Sequence, residues 1–268
     1  VLMLLAFPLA AFAARGEVYV FNWSEYIDPS VLNQFRKETG IKVRYSTYES
    51  NEAMFAKLKI LKKSGYDVVF PSTYFVERMR KIGMLMPLDR RLLPNMENLN
   101  PQLLNKPYDP GNKYSIPYMW GSSAIGVNAK YIRPNSITSW NDLWNPAYKG
   151  KVLLMDDVRD VFAMSLRSLG YSGNDTNPEH IKAAYLKLLK LKPNVKVFNS
   201  DSPKQPFLNN EVFIGQIWGG EVYQASQENP NIVYIYPKEG ATFWVDSMVI
   251  PTSVRNVKNA HAFINFML

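Results

Sequence analysis

Two short segments set aromatic rings beside a carboxylate: Trp23-Ser24-Glu25-Tyr26 and Trp244-Val245-Asp246. A ring face attracts an organic ammonium through its quadrupole, and an adjacent carboxylate accepts the N–H bonds. The first segment follows a strand-like run, Val18–Phe21, and the second precedes another, Met248–Pro251. In α/β folds, ligands bind at such strand ends. One such pair arises easily by chance, but two at strand ends point to a site for a small organic cation.

More acids and rings fall at similar junctions. Asp156-Asp157 lie between a strand-like Val152–Met155 and a helical stretch from Val158 to Leu169, with Asp160 in the first turn of that stretch. Asp157 suits an N-cap with Asp160 at the third helical position, in capping-box style. A cap that keeps one oxygen free also serves a cleft. Trp218-Gly219-Gly220-Glu221 follows the strand-like Phe213–Ile217 and opens a helix. The glycines either make a tight turn, with Glu221 favouring the helix dipole, or admit a ligand to the face of Trp218. Pro71-Ser72-Thr73-Tyr74 ends a strand in the same way, and Trp120, Trp140 and Trp144 are assigned to packing in the core or between lobes.

Catalytic material is scarce. There are only two histidines, His180 and His261, in separate helices, and no cysteine. No Gly-x-Ser-x-Gly, Walker or dinucleotide fingerprint occurs. The chain therefore reads as a non-enzyme without metal or cofactor. The rival is a secreted glycosidase using Asp157 and a second carboxylate, with tryptophans stacking on sugar rings.

The elements that must hold these residues alternate. Asp28 caps a helix with Pro29 at its first position, and Thr39-Gly40 ends it. Ile41–Tyr45 alternates like a half-buried strand, Ser50 caps a helix running to Lys63, and Val68–Phe70 is a buried strand cut off by Pro71. A helix over 74–82 completes a βαβ succession, which favours a parallel sheet flanked by helices. Residues 95–118 carry little periodicity. A second α/β region follows, with strands at Ala124–Val127, Val152–Met155, Phe213–Ile217 and Ile232–Tyr236 and helices at 140–144, 158–169 and 179–191; a strand at 246–251 and a helix at 260–267 end the chain.

The 268 residues are 47% hydrophobic and 20% charged, enough for a substantial core in one large or two modest domains. Residues 1–13 are uncharged, apolar and end in Ala11-Phe12-Ala13, which reads as the remainder of a cleaved secretory signal peptide, too short to span a membrane. Export and the lack of cysteine fit a bacterial periplasm. The net charge of +8 comes from scattered lysines at helical spacing, a solvated face, so nucleic acid is not expected as a partner.

Five segments carry a resemblance: Asn22–Tyr26, Tyr45–Glu52, Pro71–Tyr74, Phe198–Asp201 and Phe243–Ser247. They resemble the polyamine-binding family, the spermidine/putrescine receptors of ABC transporters, over residues 17 to 268. The resemblance implies an α/β, two-lobed periplasmic binding protein fold of type II, each lobe a mixed sheet flanked by helices. Residues 15–120 would form the first part of lobe 1, 121–243 lobe 2, and 244–268 the return to lobe 1. The implied partners are a polyamine ligand and an inner-membrane ABC permease. Trp23, Tyr26, Tyr74, Trp218 and Trp244 match the aromatic box around the methylene chain, and Glu25, Asp157 and Asp246 match carboxylates that hold amines. Ser200 matches a polar contact, and Ser72 is a further one. Asp160 stands where spermidine-type members tend to carry Glu. Glu221 adds an acid found in putrescine-type members, a shift towards putrescine. The family pattern continues beyond residue 268, so the chain is expected to be a fragment whose missing tail would complete the sheets and cover the cleft. Another solute, such as an oligosaccharide or a metal–anion complex, is the alternative within the same fold.

Overall fold

The computed structural model describes residues 16–61 and 65–268. The segment expected to be a signal peptide, 1–13, lies outside the described residues, as do Lys62 and Lys63. Strands β1 (Gly16–Trp23) and β2 (Ile41–Tyr48) run parallel, with helix α1 (Pro29–Thr39) between them. As read from the sequence, Asp28 caps α1 by accepting from the Ser30 N–H, and Gly40 ends it at φ 72°, a left-handed conformation natural to glycine. Helix α2 (Asn51–Ile60) is capped by Ser50 and stops short of Lys63, burying Met54 and Leu58. Then come β3 (Val68–Val69) and α3 (Thr73–Lys81).

Residues 90–112 form four short 3-10 turns, and at Ser115 a fourteen-residue strand begins, β4 (Ser115–Asn128). The sequence exposes only its last part, Ala124–Val127, because Pro117 and Gly121 break the pattern upstream. After β4 come β5 (Val152–Leu154), α4 (Val158–Ser168), α5 (Pro178–Leu191), β6 (Val195–Phe198), α6 (Gln205–Leu208), β7 (Ile214–Trp218), α7 (Gly219–Glu228) and β8 (Ile232–Ile235). Strand β9 (Thr242–Val249), which starts four residues before the expected Asp246, and α8 (Val257–Phe266) close the described chain. Strand β6 and helix α6 were not legible: β6 alternates over only four residues, and α6 is a single turn opened by Gln205-Pro206.

The strands join in the order β2-β1-β3-β9-β4-β7-β5-β6, with β8 also on β4. The sheet is mixed: β9 is antiparallel to β3 and β4, whereas β5 is parallel to β6 and β7. Apolar packing divides in two. One cluster, with Val20, Phe35, Phe70 and Phe263, draws on residues before 117 and after 247. The others, with Ile125, Trp140, Phe207 and Ile217, draw on residues between. The long strands β4 and β9 pair from Ser115↔Val249 to Ser123↔Thr242, a ribbon running from one core to the other with a register slip at Pro117/Met119. Among the described residues no helix is long and apolar enough to cross a membrane.

Candidate ligand cleft between the two lobes

A cleft of about 1360 Å³ opens where β1, β3 and β7 end and the β4–β9 ribbon passes, and all twelve residues singled out from the sequence line it. At its floor, Asp246 of β9 forms an isolated bridge with Ser72 and is 5% exposed. Its two oxygens accept from the Ser72 hydroxyl at 2.6 Å and the Tyr26 hydroxyl at 2.8 Å. Burial outweighs these two hydrogen bonds and pushes the Asp246 carboxyl up to about 7. Behind Ser72 stands Asn51, buried at the start of α2. It accepts from the Ser72 N–H at 3.1 Å and donates to the Ser72 and Tyr74 hydroxyls at 3.0 and 3.1 Å. Sequence reading passed over Asn51, although it follows the α2 cap at the strand-to-helix junction.

The opposite wall is acidic as well. Asp157 is the N-cap of α4 and accepts from the Asp160 N–H at 3.0 Å. The expected capping box is only half made: the Asp160 side chain turns away to accept from Ser123 of β4 at 2.5 Å. Burial, with the neighbouring Asp157 charge, raises Asp160 to about 7 against the hydrogen bonds of Ser123 and Trp218. Burial also lifts Asp157 and Glu221 above the ordinary carboxylate range. The Ser200 Oγ and Glu221 Oε2 atoms are buried with no hydrogen-bond partner among the described residues. An orphaned acceptor in a cleft is satisfied by a donor brought by a ligand or water.

Rings close the space between the acids. Trp23, 7% exposed, is fixed by its indole N–H to the Phe70 carbonyl at 2.9 Å and meets Trp218 edge-on, centroids 6.1 Å apart. Trp244 lies over Gly121 of the facing strand, where a Cβ would come within 2.5 Å of its ring. Tyr74 carries the Arg159 guanidinium at 5.3 Å from its centroid. The tryptophans divide differently from the expectation. Trp140 is fully buried in the second core, but Trp120 is 58% exposed on the cleft rim, tilted against Phe243. Both strands of the ribbon present a large ring there, and only the strand pairing shows them to be neighbours. Glu25 is at the rim and is held by Lys204, a residue the sequence did not mark.

Neither histidine is near this chemistry. His180 bonds Asp175 and stacks on Tyr171, and His261 joins the Val257 carbonyl to the Asp89 N–H. The cleft itself is lined by rings, carboxylates and hydroxyls.

That fold and cleft define an extracellular solute receptor, and the sequence agrees. The profile of the bacterial extracellular solute-binding proteins matches residues 30–268, and the chain belongs to that family. Within the family it is similar to the spermidine/putrescine-binding periplasmic protein of Escherichia coli K12, 55% identical over 95% of this chain and 73% of that protein. A putrescine-binding periplasmic protein of Pseudomonas aeruginosa is 38% identical over 97% of this chain and 76% of its own length. Among solved structures, a spermidine/putrescine ABC transporter substrate-binding protein of Streptococcus pneumoniae superposes with a TM-score of 0.75 at 42% identity, covering 94% of this chain and 77% of that one.

Proposed function

We propose that this chain is a periplasmic receptor for a short polyamine, putrescine or spermidine, which it hands to an inner-membrane ABC permease. The observation that carries this reading is the cleft itself: Asp246, Asp157, Asp160 and Glu221 are buried carboxylates with no side-chain cation bonded to them among the described residues, set among the rings of Trp23, Tyr74, Trp218 and Trp244. A polyamine is a row of cations on an apolar thread. Ammonium groups ionise and satisfy the acids, while rings desolvate the thread and contribute about 0.5–2 kcal/mol per cation–π contact. The relatives' polyamine specificities support the same ligand class.

The lobes divide at 120/121 and 243/244, within the β4–β9 ribbon and in accord with the two separate cores. The ligand meets one wall in the open form, and closure about the ribbon adds the other wall's acids. The signal segment and the relatives' location support a periplasmic site of action.

Tryptophan-fluorescence titration with putrescine, spermidine and maltose tests the reading. Saturable binding of a polyamine, weakened at least tenfold in Asp246→Asn, is the expected result. A response to maltose with silence towards both polyamines would overturn it.

A further inference from the structure

One acid of the cleft already has a cation. Lys204, in the turn before α6, is 8% exposed, and its Nζ donates to Glu25 Oε2 at 2.5 Å and to Gln224 Oε1 at 2.6 Å. Glu25 follows β1 on one wall and Gln224 belongs to α7 on the other, so the lysine ties the walls together. Burial favours the neutral amine, but Glu25 and Glu221 more than offset it and hold the ammonium above its ordinary value. Glu25 sits at φ 49°, a left-handed conformation unusual for a side-chain-bearing residue, so its turn is fixed by its surroundings. Farther in, Glu221 shares the field of Lys204 but its Oε2 is buried without a hydrogen-bond partner, and the Asp246 side chain accepts only from hydroxyls, among the described residues.

Building on the polyamine reading, we propose that Lys204 is a specificity-determining residue: its tethered ammonium is the standing counter-ion of Glu25. With Glu25 occupied, the inner acids receive two ligand ammoniums and a third finds no free carboxylate at the Glu25 end. The cleft therefore favours a diamine over a triamine. To bind through Glu25, the longer ligand must displace Lys204 and leave its buried ammonium without a bonded carboxylate, held by the neutral Gln224 amide, which is costly.

Isothermal titration of the purified protein with putrescine and with spermidine tests this. Lys204→Met keeps the apolar stem and removes the charge, and the ratio of the spermidine Kd to the putrescine Kd should fall fivefold or more. Adding Glu25→Gln to that variant should abolish the gain, and Lys204→Arg should leave the ratio as in the parent. If circular dichroism shows Lys204→Met unfolded, Lys204→Gln carries the same comparison. Tight binding of both polyamines with a ratio that moves less than fivefold overturns the role of Lys204 alone. A parent protein that binds neither polyamine overturns the ligand class and this role with it.

Discussion

Asp246 shows how a residue is made ready for a cation without one in place. Two hydroxyls orient its oxygens, and Asn51 fixes one of those hydroxyls from behind. Asp246→Asn keeps the shape, loses the charge and sets an amide against two hydroxyl donors. A hydrogen bond to a charged group contributes about 1.5–3 kcal/mol, so we expect polyamine affinity to fall by about one to two orders of magnitude, read by calorimetry. A comparable loss on removing an acid far from the cleft, such as Glu38, would refute the assignment. Asp246 and Asp160, raised to about 7, also dictate a pH dependence. The native protein holds these protons more tightly than the unfolded chain, whose carboxyls titrate near 4. Their contribution to the empty protein's stability therefore falls as pH rises from about 4 to 7 and is constant above. Ligand binding runs the other way: an ammonium requires the ionised acids, so affinity rises with pH up to about 7 and then levels. Calorimetry at pH 6 in two buffers of different ionisation enthalpy should detect proton release on binding, and buffer-independent heats would count against it. Both acids were legible as residues, from their neighbours and their position at strand ends. Their burial, Asn51 behind one and Ser123 beside the other were not, because these partners come from distant parts of the chain.

At the scale of elements, the β4–β9 ribbon carries the most geometry per residue. Trp244 can lie flat because Gly121 faces it in register. Gly121→Ala would drive a methyl into the indole, so the ring must tilt into the cleft or the strands must part. The expected result is polyamine affinity reduced at least tenfold with a smaller loss of thermal stability; unchanged affinity would show that the Trp244 ring has no part in the site. Gly215 is a contrasting case in β7, where a Cβ would lie 2.3 Å from the Leu153 backbone oxygen. That neighbour is backbone in a parallel pair and cannot turn aside, so Gly215→Ala damages the fold itself. Most elements were readable because their caps and periods agree, as at Asp28, Ser50 and Asp157. The first half of β4 was not, since a strand interrupted by proline and glycine has no period to read. Its identity comes from β9, more than a hundred residues later.

For the whole molecule, charge total and charge placement part company. A net +8 belongs to scattered surface lysines, whereas the cleft gathers acids. Screening over about 8 Å at physiological ionic strength leaves the local acids in control. A ligand bound across both walls stabilises the native state by mass action, about 2.7 kcal/mol at a hundred times its Kd. For a protein of this size that is a rise in Tm of roughly 5–10 °C, readable by differential scanning fluorimetry. Small-angle scattering should show a smaller radius of gyration on saturation; an unchanged radius with tight binding would refute closure. The two-part architecture could be inferred from resemblance and from the two βαβ stretches, but not from composition.

The ribbon also has a consequence for the order of assembly. The first core needs β9, since Val69 of β3 pairs with Val249, yet every strand from the shared β4 to β8 lies between them in sequence. During synthesis the strands β5 to β8 of the second unit have all emerged while the first still lacks β9, the strand between β3 and β4. Contacts of short sequence separation form fastest, and the long loop to β9 closes last. The lobe whose chain emerges first from the ribosome is therefore the one that finishes folding second, and until β9 arrives β3 remains an open edge.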